Sequence, residues 1–387
     1  MGGVPAGNAH GGQVEATDVV SYRSYVVRVW SLSAVAGHTA RAQIEEVQSG
    51  HLVELNGESA AEISARISAA FTARGGGSRR CGHGVVARSR IGRAQSEGTM
   101  ILVVGATGSL GGTIARGLAA QGRNVRILVR PGSSYQQLVE LGCQVASGDL
   151  KEPASLRAAC AGIDTIVTTA ISVTRMPPDT IETVELAGYA SLIDAARTAG
   201  VRHVIYTSAL MGDTRSPIPF AAAKALTAER LQASGLAWTV LAPDAFMDVW
   251  LAMVVASPAL QGREVVYVGG GSRVHQFVHS KDVAAFAIGC VDNPAALNRF
   301  IPIGGPAAVS FRDAVAAFER ILGRPVPQRG VAPGESVPGL PPTVLEMLAG
   351  FDAFDSRLDT APLAAEFGID LTSVDAWAEG MVPAAAG

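Results

Sequence analysis

The chain has 387 residues, 48% of them apolar, and a formal charge of −3 at pH 7. That is enough apolar material for one large domain or two modest ones, and the near-neutral balance gives no general attraction to nucleic acid. Cys81, Cys143, Cys160 and Cys290 share no metal-ligand spacing, no apolar run is long enough for a membrane span, and no charged start leads into an apolar segment. The expectation is a cytoplasmic protein with reduced thiols, no metal, no membrane contact and no nucleic-acid partner.

Residues 1–99 read differently from the rest. They hold ten arginines, no lysine and eight acidic residues. Residues 74–98 carry six arginines and seven glycines against a single acid, Glu97. Such a stretch cannot bury enough apolar surface to order itself. Residues 60–71 could form a short helix, with no partner core in view. The whole chain has 28 arginines and three lysines, which suggests a GC-rich genome, where reading frames often stay open upstream of true starts. Residues 1–99 are therefore expected to be a mis-called or disordered extension, with a regulatory arm as the alternative.

Met100–Val104 is a short apolar run suited to a buried parallel strand. Gly105, Gly108 and Gly111 follow at equal spacing. Ile114, Leu118 and Ala119 then recur at helical spacing, and Val125–Val129 is a second apolar strand. Three glycines alone are a weak sign. Here they lie between a strand and a helix in a unit of about 30 residues, the context of a dinucleotide-binding turn. Glycines let backbone amides approach a pyrophosphate, and the helix start beyond offers unpaired N–H groups and a positive dipole end. The alternative is a glycine-rich turn in an α/β domain that binds nothing there.

NAD-preferring folds end the second strand on an Asp or Glu that accepts from the ribose 2′-hydroxyl. This chain reads Leu128-Val129-Arg130-Pro131 instead. Arg130 suits a 2′-phosphate, so NADP(H) is expected over NAD(H), with a solvated loop arginine as the alternative.

The alternation of strands and helices continues. Gln144–Ala146, Asp164–Thr169, Val201–Thr207 and Trp238–Leu241 read as strands, and Ile181–Thr198 and Phe220–Ala233 as helices. This predicts an α/β fold, a doubly wound parallel Rossmann sheet over residues 100–245. A small C-terminal substrate lobe, 246–387, would add the last sheet strand and the C-terminal helices. Ligands of such sheets sit beyond the carboxyl ends of the strands. That puts Gly105–Gly111, Arg130, Asp149, Thr169 and Ser208 along one rim. The apolar stretch Asp244–Val255 offers Phe246, Met247 and Trp250 as substrate-binding side chains, with a buried helix as the alternative. His203 reads as a packed strand residue, His275 and His279 as structural or substrate-loop residues, and Ser280 as a helix cap.

Five ordered segments carry a family resemblance: GATGSLGG at 105–112, VRILVRP at 125–131, GDL at 148–150, VIYTSAL at 204–210 and FAAAKALTAERLQASGLAWTVLAP at 220–243. Together with FVHSKDVAAFA at 277–287 and FGIDLTSVDAWAEG at 367–380, they resemble the NmrA-like branch of the atypical short-chain dehydrogenase/reductase superfamily. The resemblance implies that Gly105, Thr107, Gly108, Ser109, Leu110 and Gly111 surround the pyrophosphate of NADP(H) and that Arg130 meets the 2′-phosphate. It implies that Asp149 and Leu150 flank the adenine, that Thr168 and Thr169 line the nicotinamide-ribose passage, and that Lys224 hydrogen-bonds that ribose. A turn or cap role for Asp149, strand packing for the threonines, and a surface position for Lys224 stay open.

Lys224 is the one candidate catalytic residue. Members with full carbonyl-reductase chemistry carry Tyr-x-x-x-Lys, but the position one helical turn before Lys224 is Phe220, which has no proton to donate. Ser208 stands at the family's catalytic serine without its tyrosine partner. Two functions follow. One is an NADPH-dependent oxidoreductase acting on a small apolar or aromatic quinone, ketone or activated alkene, as a monomer or homodimer. The other is a non-catalytic NADP(H) sensor that binds a protein partner.

Overall fold

The computed structural model describes the backbone of four segments between residues 18 and 57, and residues 99–382 apart from 173–177, 211–213 and 217. The chain divides into two compact units, Met1–Arg93 and Ala94–Gly387.

In the first unit, β1 (Asp18–Tyr22), β2 (Tyr25–Ala34), β3 (Gly37–Glu46) and β4 (Leu52–Gly57) pair in sequence as an antiparallel sheet. The register sets Val27 opposite Ile44, and Ile44 opposite Val53. These four strands are all that is described of the expected extension before Thr99. Their basis is local: residues 25–30, Tyr-Val-Val-Arg-Val-Trp, are β-branched and aromatic, and a meander needs only neighbouring strands to pair. The expected helix over 60–71 and the arginine- and glycine-rich stretch 74–98 lie outside the described residues.

The second unit is built on seven parallel strands: β5 (Met100–Val104), β6 (Asn124–Val129), β7 (Gln144–Ser147), β8 (Thr165–Thr168), β9 (His203–Thr207), β10 (Ala237–Pro243) and β12 (Arg299–Ile303). Between the last two comes β11 (Val265–Val268), which pairs with β13 (Gln328–Val331) in a separate two-stranded sheet. The large sheet runs β12-β10-β9-β8-β5-β6-β7, so the strand order reverses between β5 and β8. In open α/β sheets that switch point opens the ligand crevice.

The central strands of this sheet are covered on both faces, while the edge strand β7 is largely exposed, and the pleat explains the cover. Ile101 and Val103 point into one core with Ile114, Leu118, Val283 and Phe286. Leu102 and Val104 point into the other with Leu156, Leu192 and Leu231. The lobe has its own core around Met247, Leu251, Phe277, Phe318 and Trp377. The predicted helix over 181–198 is a π-helical stretch, Ile181–Gly188, running into an α-helix, Tyr189–Ala199. A reciprocal cap between Thr180 and Thr183 starts it, and Gly200 at φ 74° ends it. The helix Ser280–Cys290 is capped by His279, not Ser280: the His279 ring accepts from the Lys281 N–H at 3.0 Å. Among the described residues no helix is long and apolar enough to cross a membrane.

Candidate cofactor and active site

The glycine turn is the sheet's most constrained corner. Gly105 has φ 89°, and a Cβ there would lie 2.7 Å from Thr169 Oγ1 and 2.9 Å from the Ala170 nitrogen. A Cβ on Gly111 would overlap the Gly105 carbonyl oxygen. Both glycines are required by the turn itself. Gly108 is different. It is exposed, and a Cβ there would meet nothing closer than the Gly105 oxygen at 3.3 Å. Its N–H closes the turn on Gly105 O at 3.0 Å, and it starts the helix Ser109–Ala120. That helix has no side-chain cap and no acid in its first turn. Thr107, Gly108 and Ser109 are exposed around it, and Leu110 is half-buried against the core. A bare helix start over a side-chain-free corner fits a pyrophosphate.

At the end of β6, Arg130 is half-buried in a chain of ion pairs. Its guanidinium donates to Asp179 Oδ2 at 2.6 Å, Lys151 Nζ donates to Asp179 Oδ1 at 2.5 Å, and Lys151 Nζ also donates to Asp149 Oδ2 at 2.8 Å. Burial works to raise the Asp179 pKa, but hydrogen bonds from Lys151 and Arg130 outweigh it and hold this carboxyl below its usual range. Burial works to lower Lys151, and its two carboxylate partners raise it instead. Asp149 also accepts the Lys151 N–H at 2.9 Å, and its own backbone N–H donates to Ser155 Oγ at 3.1 Å. Its carboxylate is thus engaged in a turn and an ion pair, the alternative the sequence left open, rather than presented alone to an adenine. Leu150 is buried in the core beneath.

The other end of the candidate site is organised around Lys224. Its side chain is not on the surface: the residue is 1% exposed. The helix Pro219–Gln232 turns it inward, where Nζ donates to the Thr207 carbonyl at 3.1 Å at the end of β9. The ring centroids of Tyr206, Tyr189 and Phe220 lie 4.9, 5.4 and 5.5 Å from Nζ. Burial pushes the Lys224 pKa down to about 8, with the Glu185 carboxylate opposing that fall. Glu185 is itself fully buried and accepts from the Ser172 N–H at 2.8 Å and the Ser172 hydroxyl at 2.5 Å. It ties the loop after β8 to the helix behind it.

Sequence reasoning found neither Glu185 nor the two tyrosines. The readable signal was a carboxylate on the apolar stripe formed by Glu185, Tyr189, Leu192 and Ala196, all of them buried. Thr168 is buried, and its hydroxyl donates to Tyr189 at 3.1 Å, so it packs rather than lines a passage. Thr169 is half-buried beside Gly105, and Ser208 is buried with its N–H on Leu241 O.

The expected substrate side chains separate. Met247 is fully enclosed in the lobe core and is not available to a ligand, because it begins a π-helix, Met247–Ala256, packed into that core. Phe246 is half-buried, its backbone bridged to Val278. Trp250 is half-buried, edge-on to Phe351 at 5.1 Å. His203 lies inside the sheet against Thr239 at 2.8 Å, and burial pushes its pKa down to about 4. His275 is fully buried, with its ring 2.8 Å from the Phe351 carbonyl.

The family model described as the NmrA-like family matches residues 97–374. The chain belongs to the NmrA-like family. This places it among the NAD(P)-binding oxidoreductases of the atypical short-chain dehydrogenase/reductase type. An NAD(P)H azoreductase from Xenophilus azovorans is 32% identical over 227 residues, covering 59% of this chain and 75% of the relative. A photosystem II assembly factor, Ycf39, from Cyanophora paradoxa is 32% identical over 224 residues, covering 58% of this chain and 69% of the relative. The fold matches an NADPH-dependent quinone oxidoreductase from Escherichia coli complexed with NADPH, with a TM-score of 0.62 at 23% identity, over 73% of this chain and 99% of that one.

Proposed function

We propose that this chain is an NADPH-dependent reductase that delivers hydride to a small apolar or aromatic acceptor such as a quinone, an activated alkene or an azo compound. The observation that carries the reading is a guanidinium, Arg130, at the end of β6, set beside an uncapped helix start and the open face of Gly108. When bound, the cofactor supplies a hydride from its nicotinamide. Gly108 and the first-turn N–H groups hold its pyrophosphate, and Arg130 selects the 2′-phosphate.

At the other end the chain positions rather than reacts. Lys224 fixes the Thr207 carbonyl at the tip of β9, and Glu185 fixes Ser172 on the loop after β8. Phe220 has no proton to give, so the proton comes from water. That favours acceptors whose reduced form is a stabilised anion that water protonates readily, as a reduced quinone is. Phe246 and Trp250, each half-buried at the lobe's start, offer apolar surface to such a ring. The azoreductase relative supports this choice of acceptor class.

A second reading, a non-catalytic NADP(H)-responsive protein with a protein partner, is favoured by Phe220 and by the sealing of Lys224 away from solvent. The test is NADPH oxidation by the full-length protein against quinones, enones and azo dyes, beside a titration of NADPH binding. Acceptor-dependent oxidation is expected, faster with NADPH than with NADH. Tight binding without oxidation by any acceptor would overturn the reductase and leave the sensor.

A further inference from the structure

We propose that Lys151 is a second cation of the 2′-phosphate site, and that Asp179 is an internal carboxylate which holds the site until that phosphate replaces it. The inference rests on the NADPH reading above. Asp179 gives one oxygen to Arg130, at 2.6 Å, and the other to Lys151, at 2.5 Å. A single carboxylate therefore spans two cations brought together from the end of β6 and the turn after β7. A phosphate group, with three free oxygens, can take over both contacts at once. Lys151 is kept in place for this by Asp149, which accepts from both its backbone N–H and its ammonium group.

Charge among these four groups favours the exchange. Arg130 and Lys151 against Asp149 and Asp179 sum to zero. A phosphate carrying about −1.5 to −2 charges gains less from a neutral set than from one with surplus positive charge. With Asp179 displaced, the remaining three groups carry one surplus positive charge facing the phosphate. NADH brings only a hydroxyl, which cannot displace a carboxylate from two cations but can donate to it. Asp179 thus works against NADPH and in favour of NADH, whereas Lys151 works for NADPH. The side chains are 36% (Arg130), 22% (Lys151) and 9% (Asp179) exposed. The pair is open enough to change partners and enclosed enough that solvent does not screen it away.

Calorimetric titration of the full-length protein with NADPH and NADH tests this in wild type, Lys151→Met, Lys151→Arg and Asp179→Asn. Lys151→Met should weaken NADPH about tenfold and NADH hardly at all, the effect of one lost hydrogen bond between charged groups. Lys151→Arg should keep the preference. Asp179→Asn should move the ratio the other way, tightening NADPH severalfold. If either Lys151→Met or Asp179→Asn leaves the NADPH-to-NADH ratio unchanged while wild type prefers NADPH, the inference fails and the NADPH reading stands. A wild type with no preference overturns both.

Discussion

The two ends of the candidate cofactor site hold their charges in opposite ways. At the adenosine end, Arg130, Asp179, Lys151 and Asp149 form a partly exposed chain in which every cation has a carboxylate within 2.8 Å. At the nicotinamide end, Lys224 is sealed among aromatic rings and has a backbone carbonyl, not a carboxylate, as its hydrogen-bond acceptor. The first arrangement is the easier to rearrange, since Arg130 and Lys151 keep part of their side chains in water. The second is costly and fixed, because a buried ammonium cannot be rehydrated without opening the helix. An exchangeable network suits recognition of a charged ligand. A fixed buried cation suits holding a strand end in one place.

The largest expected effect separates the turn from both ends. Gly108→Val should abolish dinucleotide binding while the protein still folds, because the Cβ meets only the Gly105 carbonyl oxygen, at 3.3 Å, and the branched side chain fills the open face of the turn. Unchanged secondary structure by circular dichroism with no heat of NADPH binding is the expected pair of results. Retained binding would move the cofactor elsewhere. Gly111 offers the contrast: a side chain there collides with the Gly105 carbonyl, so its replacement should cost folding itself.

Next in size is the buried lysine. An ordinary lysine titrates near 10.5, and burial brings Lys224 to about 8. The folded protein therefore holds this proton less well than the unfolded chain. The penalty is complete below about pH 8 and fades as pH rises towards 10.5. Lys224→Met should raise the unfolding free energy at neutral pH by up to about 3 kcal/mol, with the gain shrinking across that window. Denaturant melts at pH 7 and pH 10 check the sign. If the lysine positions β9, cofactor affinity and turnover should fall together. A much larger fall in turnover, with loss of a basic limb in the rate profile, would make it a proton donor instead.

The glycine turn and the place of Arg130 were legible in sequence because they are local. Gly105, Gly108 and Gly111 sit within one strand–turn–helix unit, and Arg130 closes the next strand, so spacing alone aligned them. The sheet was legible for the same reason: its central strands are short apolar runs covered on both faces, as at Ile101–Val104. What pairs with those residues was not legible. Asp179 lies 49 residues from Arg130, and Glu185 reaches Ser172 across a strand crossover, contacts that periodicity does not encode. Met247 misled because an apolar run reads the same whether it lines a pocket or fills a core. Here it fills the lobe's core.

The smallest of these effects is also the most direct test of cofactor recognition. NADPH and NADH are titrated separately into full-length wild type and Arg130→Ala. A 36%-exposed guanidinium tempers the value of a charged hydrogen bond, so NADPH should lose about 1–2 kcal/mol of binding free energy while NADH loses almost none. Equal losses for the two cofactors, or no loss for either, would contradict a 2′-phosphate at Arg130.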